Sequence, residues 1–308
     1  MDSPKVWLGK QTPYPPSVQD TERSLSSVTG SSSGFGLALC KLLLSKGDKV
    51  VATLRKPADL AGLSAQYDSN ALLALELDVT HPEEITHTFA TAKAHFGRVD
   101  VVFNNAGCAV VGEIEAVPEH DARALMDVDF WGAAAVSTAA VRFFREENPP
   151  GVGGLLLNVS SMFGHNAFAC IGHYSAAKFA LEGLTEALAQ ELDPEWNTKV
   201  CLVVPGLFRT EVRAKAATVP VPPAYASVNA TSGARKYIDA AWDPSRPTRI
   251  GDTDKAVARI REVALLESPP SRLFLGTDCV TSVRAKIARV TAELDASQEW
   301  AEGLLEDV

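Results

Sequence analysis

The stretch SSVTGSSSGFGLALCKLLLSKGDKVVATLRK, residues 26–56, decides the fold. It predicts a short strand, a glycine-rich turn, a helix with a leucine face and a second strand. Gly30, Gly34 and Gly36 let the backbone approach a ligand and present the helix N-terminus to a phosphate. Their spacing is G-x-x-x-G-x-G, not the commoner G-x-G-x-x-G. The unit therefore predicts the phosphate-binding edge of an α/β sheet.

A second informative segment is HYSAAKFALEGLTEALAQEL, residues 173–192, which predicts a long helix. Tyr174 and Lys178 stand four residues apart, so they share one face of that helix. A nearby ammonium favours the phenolate, so we expect a lowered pKa for Tyr174 and a group that exchanges protons. Ser161 ends the predicted strand GGLLLNVSS, residues 153–161, and can reach the same helix. Taken singly, each feature also fits an incidental surface pair or a turn cap.

Two further predicted strands complete the pattern, VDVVFNNAG at residues 99–107 and KVCLVVPGLFRTEV at residues 199–212. Strands and helices alternate without a linker after residue 28. The sequence therefore predicts the α/β class, with one domain over residues 28–308. We expect a single-domain Rossmann-type doubly wound parallel sheet with helices on both faces.

The motifs TGSSSGFG, LDVT, NNAG, NVSS, YSAAK and PGLFRT occur in this order over residues 28–210. In order and spacing they resemble the short-chain dehydrogenase/reductase superfamily. Segments such as FFREENPPGVGG and LAQELDPEWN resemble a fungal-type, NADP-preferring subgroup. The resemblance implies an oxidoreductase that transfers a hydride between a nicotinamide cofactor and a ketone, aldehyde or secondary alcohol.

The resemblance also implies roles for individual residues. Tyr174 would be the general acid or base, Lys178 would hold the nicotinamide ribose, and Ser161 would bind the substrate oxygen. The implied cofactor-binding set is Thr29, Gly30, Ser32, Ser33, Gly34, Phe35, Gly36, Arg55, Asp78, Val79, Asn105, Ala106, Gly107, Tyr174, Lys178, Pro205, Gly206, Phe208 and Thr210.

The end of the second predicted strand bears on the choice of cofactor. An acidic residue there would accept hydrogen bonds from a ribose 2′-hydroxyl and select NAD. This chain has Leu54 followed by Arg55, and a guanidinium suits a 2′-phosphate. We therefore expect NADP(H), with NAD(H) less favoured. The alternative is that Arg55 is a solvated loop cation.

Asp129 is a departure from the family pattern, which carries an asparagine at this position to support a proton relay. Aspartate keeps the acceptor oxygens and loses the NH donors. If buried, it must pair with a cation such as Lys178 or become protonated. The hypothesis is a slower or pH-shifted relay, with Asp129 counted among the catalytic residues.

The N-terminal region, residues 1–27, is a second departure. Joining Val6-Trp7-Leu8 directly to Val28 gives a better first strand, so we expect residues 9–27 to be an insertion, either a surface loop or disordered, and of retained-intron origin. The alternative is a genuine N-terminal arm, with a poor but adequate strand from Leu25 to Thr29.

Composition excludes several classes of function. The net charge is −9 and no basic run occurs, which argues against nucleic acid or an anionic membrane as the main partner. The five cysteines are scattered, with no metal-ligand spacing. We find no transmembrane segment or signal peptide and expect no metal and a cytoplasmic protein. Asn158 begins a sequon in a predicted buried strand, so we expect it to be unused.

A substrate lid is expected over residues 207–249, which are rich in proline and alanine. Four aromatic residues are expected to line an apolar pocket for a lipophilic substrate: Phe163, Phe168, Phe208 and Tyr225. His165 and His173 are expected to be loop histidines without a catalytic part. The resemblance suggests a homodimer through the helices at residues 121–144 and 174–192.

Two other functions stay open at this point. One is a cofactor-binding sensor or scaffold with little turnover, motivated by Asp129 and the divided first strand. The other is a hydrolase, because Gly30, Ser32 and Gly34 match the G-x-S-x-G nucleophile elbow. The hydrolase alternative leaves Gly36, the NNAG motif and the Tyr–Lys pair unexplained.

Overall fold

The structure, a computed structural model, describes residues 25–232, 234–242 and 250–304. The strands in these residues are β1 (Leu25–Val28), β2 (Lys49–Leu54), β3 (Leu72–Glu76), β4 (Val101–Asn104), β5 (Val110–Val111), β6 (Gly154–Val159), β7 (Thr198–Pro205), β8 (Ala217–Thr218) and β9 (Arg272–Leu275). Seven of them form one parallel sheet in the order β3-β2-β1-β4-β6-β7-β9. The short strands β5 and β8 pair separately, also in parallel.

The helices in the same residues are α1 (Gly34–Ser45), α2 (Ala61–Ser64), α3 (Pro82–Phe96), α4 (Glu119–Met126), α5 (Ala133–Glu146), α6 (Gly172–Glu191), α7 (Val212–Lys215), α8 (Pro223–Ser232), α9 (Ala234–Trp242), α10 (Thr253–Ala264) and α11 (Thr277–Ala301). Short 3-10 turns occur at Pro57–Leu60, Ile114–Ala116, Met162–Gly164 and Pro194–Trp196.

Helices cover both faces of the sheet, which confirms the predicted single-domain Rossmann-type architecture. Successive strand residues point to opposite faces. In β2, Val50 and Ala52 pack with α1 and α10 on one side. Val51 packs with α3 and α5 on the other. Because both faces are buried, the inner strands are mostly apolar, with the serines of β1 as the main exception.

The first strand, β1, includes residues that were predicted to belong to the end of an insertion. Leu25, Ser26 and Ser27 belong to the sheet and are buried, with Ser26 paired to Val50 on one side and Val101 on the other. A central strand is held by backbone hydrogen bonds to both neighbours, which serine provides as well as valine does. The alternative of a strand beginning at Leu25 is the one observed. Residues 1–24, with the segment Val6-Trp7-Leu8, lie outside the described residues.

The segment expected as a lid contains regular structure in its described part. It holds α7, β8, α8 and α9, whereas the composition suggested a long loop. β8 pairs with β5, with Val110 beside Ala217 and Val111 beside Thr218. The small sheet ties this segment to the chain that follows β4.

Helices α4 and α5 are joined by a π-helical turn, Asp127–Gly132. By length and composition alone, the helical stretch Glu119–Glu146 could cross a membrane. Its most apolar 18-residue window has a mean hydropathy of 1.2, and 44 % of that window is buried inside the domain. Its apolar face packs on the sheet through residues such as Val136, Ala140 and Phe144, so a core helix accounts for the composition.

Candidate active site

The strand order reverses between β1 and β4, and in open α/β sheets ligands bind beyond the carboxyl ends of the strands at such a point. Here the two strand ends are fastened together. The Thr29 hydroxyl accepts the backbone N–H groups of Asn105 (2.8 Å) and Ala106 (2.9 Å). The Asn105 amide donates to the Thr29 carbonyl at 2.9 Å. The TG and NNAG motifs therefore form one rigid edge.

The glycine-rich turn fits a dinucleotide pyrophosphate. Gly30 has φ +66°, in the left-handed region, and a Cβ on Gly36 would collide with the Gly30 carbonyl. Ser33 at the N-cap of α1 makes no side-chain capping bond, and the first turn of α1 has no acidic residue. The first N–H groups of this helix are therefore available to an anion.

The structure brings other predicted cofactor residues to the same edge. A Cβ on Gly34 would lie 3.3 Å from Thr210, so the PGLFRT segment closes against the glycine turn. Arg55 is exposed directly after β2. Val79 is buried against Gly132 of the π turn.

Asp78 and Phe208 have contacts within the protein. The Asp78 carboxylate accepts the N–H (3.0 Å) and hydroxyl (2.8 Å) of Thr80. Partial burial opposes ionisation, but these bonds hold the Asp78 pKa below its usual value. The Phe208 ring packs 5.3 Å from that of Phe35, against Gly251.

Tyr174, Lys178 and Ser161 meet at the end of β6. The Lys178 Nζ lies 5.7 Å from the centre of the Tyr174 ring, and the Ser161 side chain lies close enough to Tyr174 to favour its ionised form. Helix α6 places the Tyr and Lys one turn apart, and Ser161 caps the 3-10 turn that follows β6. Lys178 is 5 % exposed and donates to the Val159 carbonyl at 3.2 Å.

Asp129 joins this cluster from the π turn. It is 0 % exposed, and its Oδ2 lies 3.1 Å from Lys178 Nζ. Its Oδ1 accepts the backbone N–H of Cys108 at 2.7 Å. A π turn often marks a functional site. The expectation that a buried Asp129 pairs with Lys178 is confirmed.

The electrostatics of the cluster correct the expected pKa of Tyr174. Burial raises the pKa of Tyr174, with Asp129 adding to the rise, while Lys178 and Ser161 oppose it. Burial disfavours the charge on Lys178, but Asp129 and Tyr174 raise the Lys178 pKa above its ordinary value. The phenol therefore holds its proton and the ammonium its charge at neutral pH.

Two of the four aromatic residues expected to line an apolar pocket, Phe163 and Phe208, are buried. Phe163 is buried, with its ring edge-on to those of Phe168 (5.4 Å) and Tyr174 (6.4 Å). Phe208 is buried with its ring against that of Phe35. His165 follows the 3-10 turn Met162–Gly164, where its Nδ1 lies 2.7 Å from Glu182.

Sequence reasoning missed several residues around the site. Arg235 of α9 forms a buried ion pair with Glu113 at 2.8 Å and donates to the Val219 carbonyl. Asp278 at the start of α11 accepts the N–H of Leu207 at 2.7 Å, beside Gly206. No local motif marks these residues. An aspartate in the first turn of a helix was the available signal for Asp278.

Two buried asparagines were also missed. Asn104 and Asn158 are register partners in β4 and β6, and the Asn104 amide donates to Asn158 at 2.9 Å. Asn158 donates to Thr185 of α6 at 3.0 Å, and Asn104 to the Ala133 carbonyl of α5 at 2.8 Å. The network holds both helices to the sheet. Asn158 is fully buried, as predicted for the strand that contains its sequon.

No group of three or more histidines, cysteines, aspartates or glutamates gathers as a metal site in the part of the chain that the structure describes. The five cysteines are free thiols, and four of them are buried.

The chain is similar to known proteins over most of its length. The family model for "short chain dehydrogenase" matches residues 26–219. An uncharacterized oxidoreductase of Schizosaccharomyces pombe is 34 % identical over 285 residues, covering 91 % of each chain. An oxidoreductase of Penicillium decumbens is 32 % identical over 280 residues, covering 88 % of this chain and 90 % of the relative.

Solved structures give the same result. A short-chain dehydrogenase from Streptomyces avermitilis is 36 % identical with a TM-score of 0.80, covering 93 % of this chain and 100 % of that one. A short-chain dehydrogenase from Burkholderia cenocepacia in complex with NADP (TM-score 0.67, 23 % identical, 89 % and 97 % covered) shares the fold. So does one from Burkholderia phymatum in complex with NAD (TM-score 0.69, 20 % identical, 93 % and 98 % covered).

The buried ion pair generates a stability prediction. Lys178→Met leaves Asp129 as an uncompensated buried charge and should lower the free energy of unfolding by about 3–5 kcal/mol. Adding Asp129→Asn removes that charge and should recover most of the loss. Urea unfolding of the wild type, both single variants and the double variant measures the coupling.

The exposed pair Arg123 and Glu119 is the control for this cycle, with an expected coupling of about 0.3–0.5 kcal/mol. A double variant as unstable as Lys178→Met alone would contradict the pairing.

Proposed function

The chain belongs to the short-chain dehydrogenase family and is an NAD(P)-dependent oxidoreductase, and on that premise we propose that it is an NADP(H)-dependent enzyme acting on lipophilic ketones, aldehydes or secondary alcohols. The observation that carries the proposal is the cluster of Ser161, Tyr174 and Lys178 at the carboxyl edge of the sheet, beside the glycine-rich turn. Family membership leaves the hydrolase alternative without support.

We propose that Ser161 and Tyr174 act together on the substrate oxygen. In reduction, the Ser161 hydroxyl holds the carbonyl oxygen, and the protonated Tyr174 phenol donates its proton to that oxygen. The glycine-rich turn and Lys178 would hold a nicotinamide cofactor, which would supply the hydride for the carbonyl carbon in reduction and accept it in oxidation. The Lys178 ammonium stabilises the phenolate left behind. The high Tyr174 pKa favours the proton-donating role at neutral pH.

The apolar surroundings of Tyr174 support a lipophilic substrate. Phe168, Leu207 and Val212 pack with Tyr174 in one cluster, and Val219 and Cys108 in the adjoining one. We propose that α8 and α9 form the lid over this region. The buried pair of Arg235 with Glu113 and the sheet between β5 and β8 hold it to the body.

The proposal also includes a cellular location and an oligomeric state. A cytoplasmic location is supported by the five free thiols. A homodimer through α5 and α6 is supported by the groove between them, lined by residues such as Val141, Arg145, Leu188 and Trp196.

Tyr174→Phe tests catalysis directly. Removing the hydroxyl should lower turnover by about 10²–10⁴-fold, since general acid catalysis contributes that much, and should weaken NADPH binding far less, although Tyr174 also belongs to the expected cofactor-binding set. The measurement is NADPH oxidation with a panel of lipophilic ketones and aldehydes. Tyr67→Phe, on a tyrosine packed against the α1 side of the core, is the control. NADPH binding without turnover of any panel member in the wild type would favour the sensor or scaffold alternative.

Arg55 tests the choice of cofactor. Hydrogen bonds to a charged group contribute about 1.5–3 kcal/mol, so Arg55→Ala should weaken NADPH binding by about 10–100-fold. NADH binding should not change. Nicotinamide fluorescence titrations give both dissociation constants, with Lys46→Ala at the far end of α1 as the control. Equal losses for the two cofactors would refute a 2′-phosphate contact.

Asp129→Asn tests the relay. The Asp129 charge raises the pKa values of Tyr174 and Lys178, so its removal should lower both. In reduction, activity requires the protonated phenol, and the alkaline limb of the pH–rate profile should move to lower pH. Asp127→Asn, an exposed residue of the same turn, should leave the profile in place. An unmoved profile for Asp129→Asn would remove Asp129 from the mechanism.

A further inference from the structure

Helix α11 carries one apolar stripe whose two halves differ in burial. Cys279 and Val283 on the stripe are buried in the domain core. The same helical spacing continues through Ile287, Val290 and Leu294. Ile287 is 59 % exposed and Leu294 is 67 % exposed. From residue 291 to residue 304 every residue is exposed.

The distal half of α11 lacks what normally stabilises a helix. In folded proteins most helical stability comes from packing of an apolar face, and from residue 291 onward this helix has no buried or half-buried residue. Trp300 in the last turn is 83 % exposed and Leu304, just past the helix, is 77 % exposed, so further apolar surface is exposed beyond Leu294. Exposed apolar surface of this extent marks an interaction site.

The charges of α11 are separated along its length. The basic residues Arg284, Lys286 and Arg289 precede the acidic residues Glu293, Asp295 and Glu299. The helix macrodipole favours the opposite order, with acidic residues toward the N-terminus and basic residues toward the C-terminus. Beyond Asp278 in the first turn, the helix therefore carries its charges in the order that the macrodipole disfavours, although Arg289 and Glu293 pair across one turn at 3.7 Å.

A second copy of the same helix in antiparallel orientation would cover the exposed apolar residues and would also compensate the unfavourable order of charges. It places the basic half of each helix beside the acidic half of the other, and it brings the two apolar stripes into contact at coiled-coil spacing. A parallel copy would set like charges together. We propose that the distal half of α11 is a self-association surface that pairs antiparallel with α11 of a second copy of this chain.

The first test removes the apolar contact. Ile287→Glu combined with Leu294→Glu should halve the assembled mass of the full chain, as measured by sedimentation velocity. This holds whether the wild type is a dimer that becomes a monomer or a tetramer that becomes a dimer. Leu265→Glu is the matched control, because Leu265 is an exposed leucine at the end of α10. NADPH binding by each variant confirms that the domain is folded. An unchanged mass for the double variant overturns the proposal.

The second test addresses orientation. Replacing Arg284, Lys286 and Arg289 by glutamate sets acidic halves against acidic halves and should reduce the assembled mass. Adding Glu293→Lys, Asp295→Lys and Glu299→Lys in the same chain restores opposite charges and should restore the mass. Association that strengthens with added salt would indicate facing like charges, and would overturn the antiparallel arrangement. Both tests are independent of turnover, so their outcome is separate from that of the proposed function.

Discussion

The buried ion pair between Asp129 and Lys178 is the constraint around which the site is built. It joins α6 to the π turn between α4 and α5, and the backbone N–H of Cys108 ties the loop after β4 to the same carboxylate. Four separate stretches of chain therefore meet at one carboxylate and one ammonium, because Lys178 also donates to the end of β6. Both charged groups are buried, so neither can be stabilised by water. Each charge is therefore stabilised by the other.

This pair also explains the local backbone. In a regular α-helix the residue at position 129 would project differently relative to the turns on either side, and the π turn inserts the rotation that points its side chain at Lys178. Gly132 closes the turn where a Cβ would collide with Val79. The result is an anion in a position where the family pattern has a neutral amide. In the proposed mechanism that charge sets the proton affinity of both Lys178 and Tyr174.

The sequence was sufficient to predict the parts of the molecule that follow a regular pattern of spacing. Strand–helix alternation and glycine positions predicted the sheet, and the i, i+4 spacing brought Tyr174 and Lys178 together. It was insufficient where tertiary contacts overrode local preference. Ser26 and Ser27 form a strand because both neighbouring strands supply backbone partners. The segment after Thr210 forms helices because α9 is held by Arg235 to Glu113, more than a hundred residues earlier.

The pKa of Tyr174 shows a different limit. Spacing identified the cation that lowers it, and could not reveal that burial and Asp129 together raise it by more. Paired asparagines were missed for a related reason. Asn104 and Asn158 each look like a polar interruption of an apolar strand, and only the register shows that they face one another.

Helix α11 connects the site to the surface of the molecule. The first turns of α11 contact the rest of the domain. Asp278 accepts a hydrogen bond from Leu207 beside Gly206, and Cys279 and Val283 pack in the core. Those contacts end at Val283, less than two turns after the helix begins. The remaining eighteen residues to Ala301 add nothing to the site and expose large apolar side chains at Ile287, Leu294 and Trp300. A helix of that length is therefore better explained by a contact outside its own domain than by the chemistry at its first turn.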